Sequence, residues 1–382
     1  MTASKSNLRS SLREAVGHPG AEVLVDLDAL AQNFRTMADI ATPGQCGAVV
    51  KADAYGLGAA MVSRRLQHEG CTTFFVQSAE EGAALRAELA EPIIYVFNGV
   101  TPGSGETLLA NRLRPVLSTP QQIERWRALR SAPGGADDLP AALHIDTGMT
   151  RLGLSPRDAH ALLDAPGGIA DLGIELLMTH LACASDADDP LNAAQIDTFA
   201  HITDRLPGLP TSIGASGGVL LGEAFRGDIA RPGIALFGGE SNPSRPATLA
   251  PVVTWLAPVL QLRDVTETLP VGYGATYVIE APARVATVAA GYADGYPLSL
   301  SNAGIVVVAG QRVPVIGRVS MDMITVDVSA LPRGAVAEGD RVEIIGEHML
   351  LDEVAQRAGT SNYTILTGLG PRLPRRYLGR DD

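Results

Sequence analysis

The stretch AVVKADAYGLGA, Ala48 to Ala59, places a single lysine, Lys51, at the exit of an apolar run. A primary amine held beside a buried strand is a natural partner for a carbonyl, with which it condenses to a Schiff base. Two further stretches carry groups that suit a phosphate. Ser216 stands in ASGG, and RPGI runs from Arg231 to Ile234. Glycine-rich turns offer backbone amides to an anion, above all at the start of a short helix. Lys51 set opposite such a cradle suggests covalent handling of a phosphorylated carbonyl compound. Taken alone, Lys51 also reads as a lysine that merely snorkels from a strand end.

These groups need a frame that brings them to one place. Short apolar runs recur at 47–52, 73–77, 93–97, 114–118, 141–146, 174–179, 212–215 and 228–231. Most segments between them have helical spacing, as in AEEGAALRAELA and NAAQIDTFAHITDRL. Eight strands alternating with helices predict parallel β-α-β units, and eight such units predict a closed (β/α)8 barrel of the TIM type. An open doubly wound sheet is the competitor. In a barrel, reactive groups sit at the C-terminal ends of the strands, and the loops after the seventh and eighth strands are the usual phosphate site. Lys51 ends the first run, Ser216 follows the seventh and RPGI follows the eighth.

The texture changes near residue 245. ESNPSRPATLAP reads as a linker. Beyond it, β-branched runs alternate with Gly, Pro and Asp, and one helix, MLLDEVAQRAG, interrupts them. The expected organisation is a mobile segment over 1–20, an α/β barrel over 21–245 and a mainly β domain over 250–382.

Composition narrows the function. The chain has 382 residues and a net charge of -12, which argues against a nucleic-acid partner because phosphate backbones need a basic face. Three cysteines are too few and odd in number for a disulfide framework and suit a reducing compartment. No secretory leader and no membrane-spanning apolar stretch stands out, so a cytoplasmic protein without a membrane partner is expected. HLAC, His180 to Cys183, has metal-like residues but lacks two further ligands, so no metal is expected. Cys183 reads as buried filler.

AVVKADAYGLGA resembles the lysine signature of the alanine racemases, which use pyridoxal 5′-phosphate. HIDTGMTRLGL (144–154), MTHLACA (178–184), RPGIALFG (231–238), VGYGATYV (271–278), GYADGYP (291–297), GRVSMDMITVDV (317–328) and RLPRRY (372–377) match that family in the same order. The resemblance covers residues 21 to 378. It implies a racemase that interconverts L- and D-alanine and supplies D-alanine for peptidoglycan.

It also implies roles for particular residues. Lys51 would hold the cofactor and act as a base on one face of the substrate carbon. Tyr273 would serve the other face, and because a tyrosine ordinarily loses its proton near pH 10 it needs a helper, His180. Arg231 would face the pyridine nitrogen and keep it unprotonated, since like charges repel. Tyr55, Ser216 and the backbone of Gly233 and Ile234 would hold the phosphate. Arg151 would pair with the substrate carboxylate, with Met321, Asp322 and Tyr292 on the substrate side. Lys51 and Tyr273 would meet across the boundary of a head-to-tail homodimer with shared active sites.

The chain departs from the family pattern in three places. His144 stands where many members have a carboxylated lysine that supports the arginine matching Arg151. Ala215 replaces an asparagine before the phosphate-binding serine, an expected loss of about 1–3 kcal/mol if the lost bond is charge-assisted. Pro371 replaces an aromatic found in some members. The alternatives are a racemase of broader taste, for serine or others, and a non-catalytic pyridoxal-phosphate carrier. A related decarboxylase of basic amino acids would carry a cysteine in its β domain, and no cysteine follows Cys183.

Overall fold

The structure, a computed structural model, describes residues 20–132 and 138–379. All of the expected mobile segment except Gly20 lies outside the described residues. The chain divides into two compact units. One is Leu30–Ala250. The other joins the described residues through Ala29 to those from Pro251 onward.

In the first unit, strands Ala48–Val49, Thr73–Val76, Ile93–Val96, Arg114–Leu117, Ala141–His144, Ile174–Met178 and Thr211–Ser212 pair in that order, all parallel. The eighth, Ile229–Ala230, pairs with Gln45–Cys46, just before the first. The amides of Gly47 and Val49 donate to the carbonyls of Ala230 and Pro232, both at 2.9 Å, and Arg231 N donates to Gly214 O at 2.8 Å. These bonds close the ring between the seventh, eighth and first strands, so the sheet is a barrel and the open-sheet alternative falls. Strands covered on both faces should read as continuous apolar runs, and TFFV, buried throughout, does.

The helices start where the sequence supplies caps. Ser78, Thr119, Ser155 and Asp189 accept amides from the first turns that follow them, and Pro120, Pro156 and Pro190 stand at the start of three of those turns. Short caps and short strands place all eight strand ends on one side of the barrel, where their loops gather.

The second unit is a curled sheet. Ala283–Val288, Ile324–Asp327, Gln311–Ile316, Ile305–Val308, Arg341–Ile345 and Val253–Val265 pair in that order, and Val253–Val265 also pairs with Ala283–Val288, closing a six-strand ring. The 13-residue length of Val253–Val265 and its register shifts let one strand serve both neighbours. A short antiparallel hairpin, Leu269–Val271 with Tyr277–Ile279, carries Tyr273 in its turn.

Two expectations need correction. The barrel expected over 21–245 takes in AEVLVDL, which precedes the helical DALAQNFRTMADIA. Instead, Glu22–Asp26 lies between Val253–Val265 and Arg375–Leu378 in the β unit. Its buried Glu22 meets Arg341 at 2.7 Å and Arg376 at 3.4 Å, an ion pair that no local pattern announces. The β region also holds a second helix, Asn362–Thr367, capped by Ser361, too short to show a clear period in the sequence.

Candidate active site

Lys51 leaves the first barrel strand and enters a turn of unusual hand. Ala52, Asp53, Ala54 and Tyr55 all have φ between 52° and 58°. L-residues resist this region by about 1–2 kcal/mol each. The turn is held by hydrogen bonds: Ala54 N to Val50 O (2.9 Å), Gly58 N to Asp53 O (2.9 Å) and Ala59 N to the Asp53 carboxylate (2.7 Å). Gly56 and Gly58 punctuate the sequence here, but the left-handed run falls on the four residues before them, none of them a glycine.

The amine of Lys51 opens into a cavity of about 390 Å³, lined by Gln77, Phe97, His144, Arg151, Leu152, Met178, His180 and Arg231 as well. Nζ lies 3.3 Å from Gln77 Oε1 and 5.6 Å from the centre of the Phe97 ring. Burial, reinforced by the charge of Arg151, holds the amine below its ordinary pKa, and Glu81 opposes them. A lysine in this state gives up its proton more readily.

Arg231 is 2 % exposed. Its guanidinium donates to Ser212 Oγ at 2.5 Å and to the carbonyls of Thr179 and Ile213 at 2.8 and 3.1 Å. Three partners on the surrounding strand ends fix its plane, and burial pushes its pKa down to about 9. His180 is pushed down to about 3, by burial and then by Arg231 and Arg151. His144 falls to about 4 by burial and Arg231, with Asp146 pulling the other way. Both imidazoles are therefore neutral at neutral pH. His144, 3.4 Å from Ser118 Oγ, offers Arg151 no negative charge.

Arg151 sits on the loop after the fifth strand. One oxygen of Asp146 accepts the amides of Gly148 (3.0 Å), Met149 (2.8 Å) and Thr150 (3.1 Å), which shapes that loop. Burial works to raise the Asp146 pKa, but these amides outweigh it and keep the carboxyl below its usual range.

Tyr55, Ser216 and Gly233, which precedes Ile234, lie together. Ser216 Oγ accepts the amides of Gly233 (2.9 Å) and Ala235 (3.2 Å). The Tyr55 ring packs on Phe237 with centroids 5.1 Å apart. A Cβ on Gly233 would lie 2.1 Å from the Tyr55 hydroxyl, so only glycine lets that hydroxyl approach the amides. Two hydroxyls and adjacent backbone amides form a donor-rich cradle that fits a phosphate, and an amine in the neighbouring cavity fits an aldehyde.

Tyr273, Tyr292, Met321 and Asp322 belong to the β unit, and none of them lines the Lys51 cavity. All four are exposed, Tyr273 at 71 %, Tyr292 at 46 % and Met321 at 52 %. Tyr292 and Met321 are brought together by the bonds Tyr292 N to Ser320 O (3.1 Å) and Ala293 N to Met321 O (3.0 Å). Asp322 meets Arg372 at 2.7 Å, and Arg372 also holds the buried Asp294 at 2.5 and 3.0 Å. The Tyr273 turn is tied to the same segment through Asn302, which donates to Thr276 Oγ1 (3.2 Å) and accepts Gly317 N (2.6 Å).

Sequence reasoning missed Gln77 and Phe97 beside the amine, although both end strand runs that it had located. It also missed the buried Gln195, whose Nε2 donates to His180 O (3.0 Å) and Thr147 Oγ1 (3.1 Å) and whose Oε1 accepts Ala182 N (2.8 Å). Its only sequence signal is a polar residue on the inner face of Pro190–Thr203.

The sequence profile of the alanine racemase N-terminal domain matches residues 25–241, and that of the C-terminal domain matches residues 252–377. The alanine racemase of Methylobacterium sp. (strain 4-46) is 45% identical over 94% of this chain and 98% of its own length. A catabolic alanine racemase of Agrobacterium fabrum is 43% identical over 97% and 96%. The crystal structure of the alanine racemase from Bartonella henselae, with covalently bound pyridoxal phosphate, superposes with a TM-score of 0.88 at 37% identity, over 94% of this chain and 99% of that one. Matches to both family domains, spanning the barrel and the β unit alike, establish that the chain belongs to the alanine racemase family.

Proposed function

We propose that this protein is a pyridoxal-phosphate-dependent isomerase that interconverts L- and D-alanine. The observation that carries this reading is the amine of Lys51, half-withdrawn from water, in one cavity with the buried Arg231 and the neutral His180. The phosphate would rest on Ser216, Tyr55 and the amides of Gly233 and Ile234. When bound, the cofactor spreads the negative charge left on the substrate carbon and so makes its proton removable.

The rest falls to this chain's own side chains. Arg231, locked by three hydrogen bonds, presents a cation to the ring nitrogen and disfavours its protonation. Arg151 receives the substrate carboxylate as a planar fork. Lys51 moves the proton on one face of the carbon. The partner subunit's Tyr273 moves it on the other, assisted by the neutral imidazole of His180. Met321, Asp322 and Tyr292 shape the substrate side. In this reading the enzyme is a cytoplasmic head-to-tail homodimer that supplies D-alanine for peptidoglycan. The Agrobacterium relative is named catabolic, which favours the opposite flux as the second reading.

The test is L-alanine incubated with protein and cofactor in deuterated water, followed by chiral analysis. Accumulating D-alanine with deuterium at the α-carbon supports the racemase. Alanine that stays unlabelled while the protein holds the cofactor overturns it in favour of a carrier.

A further inference from the structure

The left-handed turn after Lys51 persists only because its surroundings hold it. One carboxylate does so from another element. Glu81, in the first turn of the helix Ala79–Glu88, accepts the amide of Ala52 through Oε1 at 2.9 Å and the amide of Gln77 through Oε2 at 2.7 Å. Those two amides bracket the reactive amine. Ala52 follows Lys51 directly, and Gln77 sets its Oε1 3.3 Å from Nζ. The side-chain nitrogen of Gln77 donates to Asn98 Oδ1 at 2.5 Å, which leaves its oxygen facing the lysine. Ser78 caps the amide of Glu81 itself at 3.3 Å, so the carboxylate stands on an anchored helix start.

We propose that Glu81 is a positioning residue for Lys51: by bridging the amides of Ala52 and Gln77, its carboxylate fixes the strained turn and the amine's polar partner as one unit. The role rests on the reading of Lys51 as the residue that carries pyridoxal phosphate. Charge acts alongside geometry, because Glu81 favours the protonated amine against burial and Arg151. Glutamine at 81 keeps one acceptor oxygen but turns an NH2 donor toward the other amide. Alanine removes both acceptors.

The experiment follows covalent capture of pyridoxal 5′-phosphate by the cofactor-free protein, trapped with borohydride and mapped to Lys51. Capture by Glu81→Gln should be about tenfold slower than wild type, and by Glu81→Ala slower still, since tenfold corresponds to about 1.4 kcal/mol in the barrier. For Glu81→Gln the pH dependence of capture should also move down, because the amine loses a stabilising negative neighbour. Affinity for pyridoxine 5′-phosphate, which lacks the aldehyde, should fall far less than capture does, because Ser216 and the amides of Gly233 and Ile234 lie on other elements and only Tyr55 shares the Lys51 turn. Unchanged capture in both variants overturns the proposal. So does a fall in pyridoxine 5′-phosphate affinity that parallels the fall in capture, which would mark general damage. A wild-type protein that never links the cofactor to Lys51 overturns the cofactor reading itself, and with it any role for Glu81.

Discussion

The two histidines of the site are set by burial and by arginine, and that combination leaves a signature in stability. His180 and His144 hold pKa values of about 3 and about 4 in the folded protein, against an ordinary value of about 6.5. Below pH 6.5 the unfolded chain therefore binds protons that the folded chain refuses, so stability falls as the pH falls, down to the folded values. Each histidine should remove about 1–2 kcal/mol between pH 7 and pH 5. The urea midpoint measured across that window should drop, and His144→Gln should flatten the drop by its share. An unchanged slope in that variant would mean His144 is protonated in the folded protein. The same neutrality means that neither histidine should appear as a titrating group in an activity profile above pH 5.

In the proposed reading two elements carry the chemistry, and each predicts a different kind of variant. At the phosphate cradle, Gly233→Ala places a methyl 2.1 Å from the Tyr55 hydroxyl. The tyrosine must move, and the expected strain is about 1–3 kcal/mol. Cofactor affinity should fall at least tenfold by spectral titration while the protein stays folded. At the Lys51 turn, Ala52 is exposed with φ 52°, so Ala52→Gly relieves a strained position. Thermal stability should rise by about 0.5–1 kcal/mol, while covalent capture at Lys51 slows because the turn is freer. A variant that is less stable than wild type would show that the strain is already absorbed. The contrast between these elements explains what the sequence could reveal. Strand ends at Lys51, Ser216 and Arg231 were legible, since apolar runs with a polar terminus mark the rim of a barrel. The left-handed hand of the turn was not, because one of the bonds that hold it comes from Glu81, 29 residues away. Gln195 was hidden for the same reason: its partners lie on two other segments of the barrel, at Thr147 and at 180–182.

For the whole molecule, the decisive prediction concerns which chain supplies which base. Lys51→Ala and Tyr273→Phe should each abolish or nearly abolish racemisation, the tyrosine change by about 10²–10⁴-fold. If sites are shared between subunits, mixed dimers of the two variants rebuild one intact site each. Equal mixing and reassortment should then restore activity to about one quarter of wild type. No recovery after verified subunit exchange would place both bases in one chain. The family motifs made the order of the two units readable, but not the seam between them. Glu22–Asp26 joins the β unit although the barrel follows it in sequence, and only pairing over more than 200 residues reveals this.

That seam bears on how the protein is made. Val23, Leu24 and Val25 leave the ribosome early, and their neighbours Val253–Val265 and Arg375–Leu378 leave late. At about 5–20 residues per second, roughly 20–70 s separate the first of these strands from the last. Until Val253–Val265 emerges, roughly 11–46 s at that rate, the barrel can assemble while three apolar residues wait with no partner strand. The nascent chain thus carries an adhesive tag while the barrel is being made, a natural handle for a chaperone and a hazard on a crowded polysome.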